Sequence, residues 1–399
     1  VPAEFENPFR TAPGSDPPHL VGRDAEISLA RFAIGMTRSG APAAPVIIMG
    51  QRGTGKTALL RRIVAQARRE SAIVVATEAT RREPFAAILR LGLEAARDGL
   101  GSVPEKLKRT IGKVARALPK PEYELPQGAG SITLADHTSL EGAALITLLR
   151  ELNEVAWKHH KYLLFAVDEL QEAQLDDLSA LVRFIHETAG TSEPALLIGA
   201  GLPNSRDHLH RAHTYTERWR FVEIGLLDRQ QTRDAIGKPI RDAGHRIRET
   251  ALEALAEETA GYPFFIQEYA SAAWMHHRNT TITEGDVEAI VPGVRNLLDS
   301  SLYNGHFRAL TPRECGYVLA LSDLGAGSHT VREIAESLGS TSERLSSIRN
   351  RLIKKDVLFV PSVGMVEFRI PLTDRYVRRH RTELERRAAK TGTAGAPSV

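Results

Sequence analysis

The sequence predicts an α/β fold: a parallel-sheet core, then an all-α segment, then a small module of helices and a hairpin. Three observations predict it. Short apolar runs at 46–49, 72–76, 162–167, 195–200 and 221–224 alternate with amphipathic helical stretches, the pattern of parallel strands buried on both faces. A glycine-rich octapeptide, Gly50-Gln51-Arg52-Gly53-Thr54-Gly55-Lys56-Thr57, separates the first run from a helical stretch carrying Ala58, Leu59, Leu60, Ile63, Val64 and Ala67. From residue 308 onward, capped helices precede two strand-like runs.

The octapeptide satisfies G-x-x-x-x-G-K-S/T in the strand–loop–helix context of a P-loop NTPase core. A triphosphate needs many backbone N–H groups facing it. Gly50, Gly53 and Gly55 permit the required backbone angles and close approach, and a helix starting near Lys56 adds unpaired N–H groups and its dipole. Lys56 is expected to reach the β- and γ-phosphates and Thr57 to hold Mg²⁺. Gln51, Arg52, Thr54 and Ala58 complete the candidate ATP/ADP cradle. The alternative is a glycine-rich turn that happens to precede a lysine.

The remaining elements follow in order. Residues 1–18 hold five prolines and little periodicity, an extended, poorly ordered lead-in. The core is placed at 19–226. It opens on His19-Leu20-Val21-Gly22-Arg23-Asp24-Ala25-Glu26 and an amphipathic helix through Phe32 and Met36. Beyond the loop helix and the strand at 72–76, a helix carries Phe85, Ile88, Leu89, Leu91, Leu93 and Ala96. Residues 101–135 combine a basic amphipathic helix (Lys106, Lys108, Arg109, Lys113, Arg116) with Pro119, Pro121 and Pro126. Contact with nucleic acid or a neighbouring subunit, and a plain solvated face, are both open for it. A helix at about 139–158 leads to an apolar strand ending in Asp168-Glu169. At the carboxyl end of a strand, where ligands of open α/β sheets gather, Asp168 is expected to orient Mg²⁺ and Glu169 to act as general base on water. The alternative is a strand running into an acidic turn.

The motif order resembles that of AAA+ and STAND ATPases, including initiator-like members with a C-terminal winged helix, over about residues 19–380. The resemblance implies that the backbone of Val21, Gly22 and Arg23 packs against the adenine. It implies that Arg218 is an arginine finger presented to an adjacent subunit, with Arg220 as competitor and a surface or ion-paired arginine as the alternative. It also implies that Pro263, in Gly261-Tyr262-Pro263, lies near the nucleotide base, although Pro at a helix start needs no ligand. Where such proteins end the 195–200 strand in a polar sensor, this chain has small residues from Gly199 to Gly201, with Asn204 the first amide. Fast turnover is therefore not implied. The Gly-Ala-Gly-Leu-Pro string looks like that of a subgroup of bacterial ATPases.

An all-α lid is expected at 227–300, a winged-helix domain at 301–385 and a disordered tail at 386–399. Thr311-Pro312-Arg313-Glu314, Thr330-Val331-Arg332-Glu333 and Ser340-Thr341-Ser342-Glu343 read as capping boxes. Arg344, Arg349, Asn350, Arg351 and Lys354 on the third helix are the candidate DNA-binding residues, since Arg and Asn can read guanine and adenine edges. Arg375, Arg378, Arg379, Arg381, Arg386 and Arg387 extend the basic character. From Ser340 to Val399 there are 13 Lys+Arg against 6 Asp+Glu, a local +7 in a chain of net +3, the footprint of a nucleic-acid binder. A protein-contacting winged helix with a solvated basic face is the competing reading.

Composition narrows the class. No apolar run approaches the ~18 residues of a membrane span, and the start at Val1-Pro2-Ala3-Glu4 has no signal-peptide character and reads as a trimmed end. Cys315 is the one cysteine, which rules out an internal disulfide and is expected of a reducing cytoplasm. No Asn-Lys-x-Asp or Leu-Ser-Gly-Gly-Gln motif occurs. The expected function is ATP binding and hydrolysis that controls a winged helix on double-stranded DNA. The alternative is a slow or non-hydrolysing nucleotide-gated module that contacts protein or itself.

Overall fold

The computed structural model describes residues 7–12, 15–100, 103–120 and 142–389, so Pro121, Pro126 and the helix start at 139–141 lie outside the described residues. The chain divides into two compact units. One comprises Pro13–Gly50 and Gly55–Gly225; the other comprises Val1–Ala12, Gln51–Thr54 and Leu226–Val399.

The first unit is built on strands β1 (Val46–Met49), β2 (Ala72–Glu78), β3 (Tyr162–Asp168), β4 (Leu196–Gly201) and β5 (Arg220–Glu223). They form one sheet in the order β2-β3-β4-β1-β5, and every pairing is parallel. Its helices are α1 (Asp24–Arg38), α2 (Lys56–Arg69), α3 (Phe85–Gly99), α4 (Glu105–Ala117), α5 (Gly142–Lys158), α6 (Leu175–Thr188) and α7 (Ser205–Ala212).

Side-chain alternation explains why the strand runs are apolar throughout. Val46 and Ile48 of β1, with Tyr162, Leu164 and Ala166 of β3, share a core with Ala30 and Ile34 of α1 and Leu59 and Ile63 of α2. Ile47, Met49, Leu163, Phe165 and Val167 point the other way, into a core with α3 to α6. Along these stretches of β1 and β3 neither parity has a solvent face, so both are apolar. Each buried Val, Leu or Ile contributes about 1.5–3 kcal/mol. The amphipathic helix expected through Phe32 and Met36 is α1; it buries Ala30, Ala33, Ile34 and Thr37 and leaves Phe32 largely exposed.

The second unit is mainly helical. Its elements are α8 (Arg229–Asp242), β6 (Arg246–Ile247), α9 (Glu249–Thr259), α10 (Pro263–His276), β7 (Thr281–Ile282) and α11 (Glu284–Leu298). After a π-turn come α12 (Asn304–Arg308), α13 (Pro312–Leu324), β8 (His329–Thr330), α14 (Val331–Ser337) and α15 (Ser342–Lys354). The chain closes with β9 (Leu358–Phe359), β10 (Met365–Phe368), α16 (Thr373–Arg379) and α17 (Arg381–Ala389). β6 and β7 pair with each other, so the lid segment is not purely helical, and β8-β10-β9 form a small sheet whose two pairings are antiparallel.

Three terminal or capping details depart from expectation. Residues 7–12 are tied down: Phe9 is buried, Asn7 Nδ2 donates to Ser271 Oγ at 2.7 Å and the Arg10 amide to Gln267 Oε1 at 2.8 Å. Residues 386–389, expected in the tail, are helical. Thr311–Glu314 and Thr330–Glu333 form reciprocal capping boxes, but the third helix is capped by Thr341, not Ser340. That shift places Arg344, not a glutamate, at the third helical position, so the reciprocal box does not form.

Candidate functional site

The sheet brings the chemistry-bearing residues of the first unit to its carboxyl edge. β1 lies between β4 and β5, and the Gly50 amide, first of the loop, donates to the Gly201 carbonyl at the end of β4 at 3.2 Å. Gly53 and Gly55 take φ of 73° and 92°, the left-handed region that costs an L side chain energy. Gly55 is the N-cap of α2 and brings no side chain to cover the first-turn N–H groups. Lys56 and Thr54 are buried, and Ala58 follows in the first turn.

Thr57 and Asp168 meet: the Thr57 hydroxyl donates to Asp168 Oδ2 at 2.7 Å, while Asp168 Oδ1 accepts the Glu169 amide at 2.9 Å. A hydroxyl and a carboxylate side by side form a hard oxygen set that suits Mg²⁺. Glu169 leaves the strand in left-handed backbone, φ 51°. A non-glycine residue there is uncommon and signals a constrained site.

Two residues that the sequence reading passed over complete this edge. Gln171, in a single 3-10 turn (Leu170–Glu172), donates its carboxamide Nε2 to Glu169 Oε2 at 2.5 Å. Its Oε1 accepts the Leu202 amide at 3.0 Å and the Ser205 hydroxyl at 3.2 Å. Gln171 and Ser205 are both buried. Packing accounts for the glycines of β4: a Cβ on Gly199 would stand 2.2 Å from Leu170 Cδ1, and one on Gly201 would stand 2.2 Å from Ser205 Oγ. Asn204 is exposed at the start of α7.

Val21 and Gly22 precede α1, and Gly22 has φ 70°. Arg23 is buried and donates from Nη2 to the Gly225 carbonyl, just beyond β5, at 2.7 Å. Burial lowers its pKa from the ordinary arginine value, with Glu26 opposing. The guanidinium thus fastens the start of α1 to the chain leaving the sheet. Arg218 ends a short 3-10 turn and is exposed, as is Arg220 on β5, which lines a cleft of about 560 Å³ with Arg206, His210, Trp219 and Phe221.

In the second unit, Pro263 occupies the first turn of α10, where its missing N–H costs nothing. Its neighbour Tyr262 is buried, donates its hydroxyl to the Arg52 carbonyl at 3.0 Å, and covers Gly53 so closely that a Cβ there would stand 2.3 Å from the phenol oxygen. Burial pushes the Tyr262 phenol well above its ordinary range. The side chains of Gln51 and Arg52 also have partners: Gln51 Nε2 donates to Glu367 Oε1 at 2.5 Å, and Arg52 pairs with Asp356 at 3.4 Å.

The basic residues of α15 separate into two groups. Arg344, Asn350, Arg351 and Lys354 are exposed, opposite the buried Leu345, Ile348 and Leu352. Arg349 is half-buried and leans on Asn350. Arg351 donates to Glu314 at 3.2 Å, as Lys355 does at 2.7 Å. The Glu314 carboxyl is fully buried, which alone would push its pKa up, but Lys355, the Thr311 cap and Arg351 outweigh burial and hold it below the ordinary glutamate value. Most arginines of the expected footprint after residue 370 have partners within the chain, although Arg378, Arg379, Arg381 and Arg386 remain exposed. Arg375 binds the carbonyls of Glu257 and Glu258, Arg378 pairs with Asp374, Arg379 with Asp299 and Arg381 with Asp323, and Arg387 binds the carbonyls of Phe307, Arg308 and Leu310.

Residues 19–198 match the AAA ATPase domain family, and residues 300–377 match a domain of unknown function (DUF8462). No curated protein matches the chain. In fold, the chain is similar to the Walker-type ATPase PABY2304 of Pyrococcus abyssi, with TM-score 0.57 and 14% identity, covering 93% of this chain and 99% of that one. Looser likenesses include Cdc6p from Pyrobaculum aerophilum (TM-score 0.46, 15% identity, 94% and 97% covered) and Orc1 from Aeropyrum pernix, solved in complex with DNA (TM-score 0.46, 16% identity, 94% and 95% covered). The N-terminal part of the chain, residues 19–198, thus matches an AAA ATPase domain, and the chain has the fold of a P-loop NTPase. Among the described residues, no helix is long and apolar enough to cross a membrane.

Proposed function

We propose that the chain binds Mg-ATP at Gly50–Ala58 and hydrolyses it, and that nucleotide state governs double-stranded DNA binding by a winged-helix domain within 301–385. The observation that carries the reading is the Thr57–Asp168–Glu169 chain at the carboxyl edge of the sheet, beside a helix whose first-turn N–H groups have no side-chain cap. Thr57 and Asp168 are the residues that would hold Mg²⁺, which when bound neutralises phosphate charge. Lys56 adds a fixed cation for the terminal phosphates, and Val21–Arg23 and Pro263 are the proposed base contacts. Glu169 takes a proton from water as the water oxygen bonds to the γ-phosphorus. The bond from that phosphorus to the bridging oxygen breaks, and ADP and inorganic phosphate leave.

The order α13, α14, α15 and then β9 and β10, with β8 as third strand, supports the winged-helix reading, and Arg344, Arg349, Asn350, Arg351 and Lys354 are its proposed DNA contacts. A second reading, in which this module contacts protein, draws support from the arginines already paired within the chain, Arg379 with Asp299 and Arg381 with Asp323, and from Arg351 on Glu314. DNA titrations between roughly 50 and 200 mM salt separate the two, since phosphate contacts make affinity fall steeply with salt. A flat response would remove DNA and leave protein. An arginine finger at Arg218 requires self-association, so mass measurement with and without ATP and Mg²⁺ tests it.

A further inference from the structure

We infer that Gln171 is the positioning residue for Glu169, supplying from the turn after β3 the polar contact that the end of β4 lacks. The inference rests on the proposed role of Glu169 as general base. Its evidence is a directed network. The Gln171 carboxamide is buried and its orientation is set by its neighbours. Its oxygen faces two donors, the Leu202 amide and the Ser205 hydroxyl, and its nitrogen faces the Glu169 carboxylate. A flipped amide would set oxygen against carboxylate and nitrogen against an N–H, so only one orientation satisfies every partner.

The network spans the turn after β3, the end of β4 and the start of α7, three segments joined through the central sheet. Its fit depends on Gly201, where a Cβ would also stand 2.7 Å from Gln171 Oε1. A side chain at that place and the Gln171–Ser205 contact exclude one another. The glycine is therefore the space that the network requires. Glu169 also sits in left-handed backbone, so its side chain starts from a direction that the strand does not set. A hydrogen bond to one carboxylate oxygen fixes that direction and leaves the other oxygen to meet water. Such outer contacts typically change activity by about 10–100-fold.

Phosphate release and ATP affinity should be measured on the full chain for wild type, Glu169→Gln, Gln171→Ala, Gly201→Ala and the double variant Glu169→Gln/Gln171→Ala. Gln171→Ala should lower kcat by roughly 10–100-fold with KM and ATP affinity within about threefold. Gly201→Ala should reproduce that loss by displacing the carboxamide. On the Glu169→Gln background, Gln171→Ala should cost less than about twofold, the non-additivity of residues acting through one group. A purely structural Gln171 would instead lower both parameters and add to Glu169→Gln, overturning the inference. If Glu169→Gln abolishes turnover while Gln171→Ala leaves kcat unchanged, the inference falls alone. If Glu169→Gln changes nothing, the general-base reading falls first. A readout independent of turnover is the Gln171 side-chain amide in ¹⁵N correlation spectra, assigned by its loss in Gln171→Ala. It should be protected from solvent exchange in wild type and lose protection in Glu169→Ala. Equal exchange in both would overturn the contact itself.

Discussion

The carboxyl edge of the central sheet and the outer face of α15 both gather polar side chains, but by opposite means. At the sheet edge, Thr57, Asp168, Glu169, Gln171 and Ser205 come from three separate stretches of chain and are joined one to the next by hydrogen bonds, largely out of solvent. On α15, Arg344, Asn350, Arg351 and Lys354 come from one exposed helix. The first arrangement depends on strand order and glycine spacing, and its members act as a unit. The second depends mainly on helical periodicity, and although Arg351 is held by Glu314, Arg344 and Lys354 act one by one. The difference teaches where substitutions should couple and where they should add.

The largest expected effect tests that separation. Lys56→Ala should lower ATP affinity at least about 100-fold by calorimetry, whereas Arg344→Ala should leave it unchanged. Loss of nucleotide affinity in both would break the comparison. In the second unit, Glu314→Ala removes a buried carboxylate that caps α13 and holds Arg351 and Lys355. It should destabilise this unit by about 2 kcal/mol in urea unfolding, without moving ATP affinity.

Acid should act on the same carboxylates. Burial pushes the Glu258 and Glu314 carboxyls up, but Arg295 and Tyr269 for one, and Lys355, Thr311 and Arg351 for the other, hold both below the ordinary glutamate value of 4.5. Groups with depressed folded values contribute stability that is complete above the unfolded value and is lost as pH falls through the folded one. Stability should thus be flat in these two groups above about pH 5 and fall below 4.5, and Glu314→Gln should shallow that fall. A steeper acid limb in the variant would contradict the assignment. The smallest effects belong to α15: Arg344→Ala and Lys354→Ala should each reduce the salt slope of DNA binding by about 1, additively. Strong coupling between them would mean that this face is an organised site like the sheet edge.

What was legible in the sequence follows the same division. Strands buried on both faces announce themselves as unbroken apolar runs, and Gly53, Gly55, Lys56 and Thr57 are adjacent in the chain, so spacing alone locates them. Strand order is not local. Nothing in the sequence says that β4 inserts between β1 and β3, and that insertion brings Gly201 beside Gly50 and Ser205 beside Gln171. The small residues of β4 therefore looked like a missing group, when they are the room for one supplied elsewhere. The anchoring of residues 7–12 is not legible for a related reason, because the prolines mask Phe9, an aromatic side chain that is buried in the fold. The charge of the arginines after residue 370 is legible but their carbonyl and carboxylate partners are not, because several of these come from distant segments of the chain.

The central claim is that the sheet edge is a hydrolytic site with Glu169 as its base. Steady-state phosphate release with saturating Mg-ATP, for wild type and Glu169→Gln, tests it most directly. The expected result is a loss of at least about 100-fold in kcat with ATP affinity within roughly threefold. Equal turnover in the two proteins would contradict it.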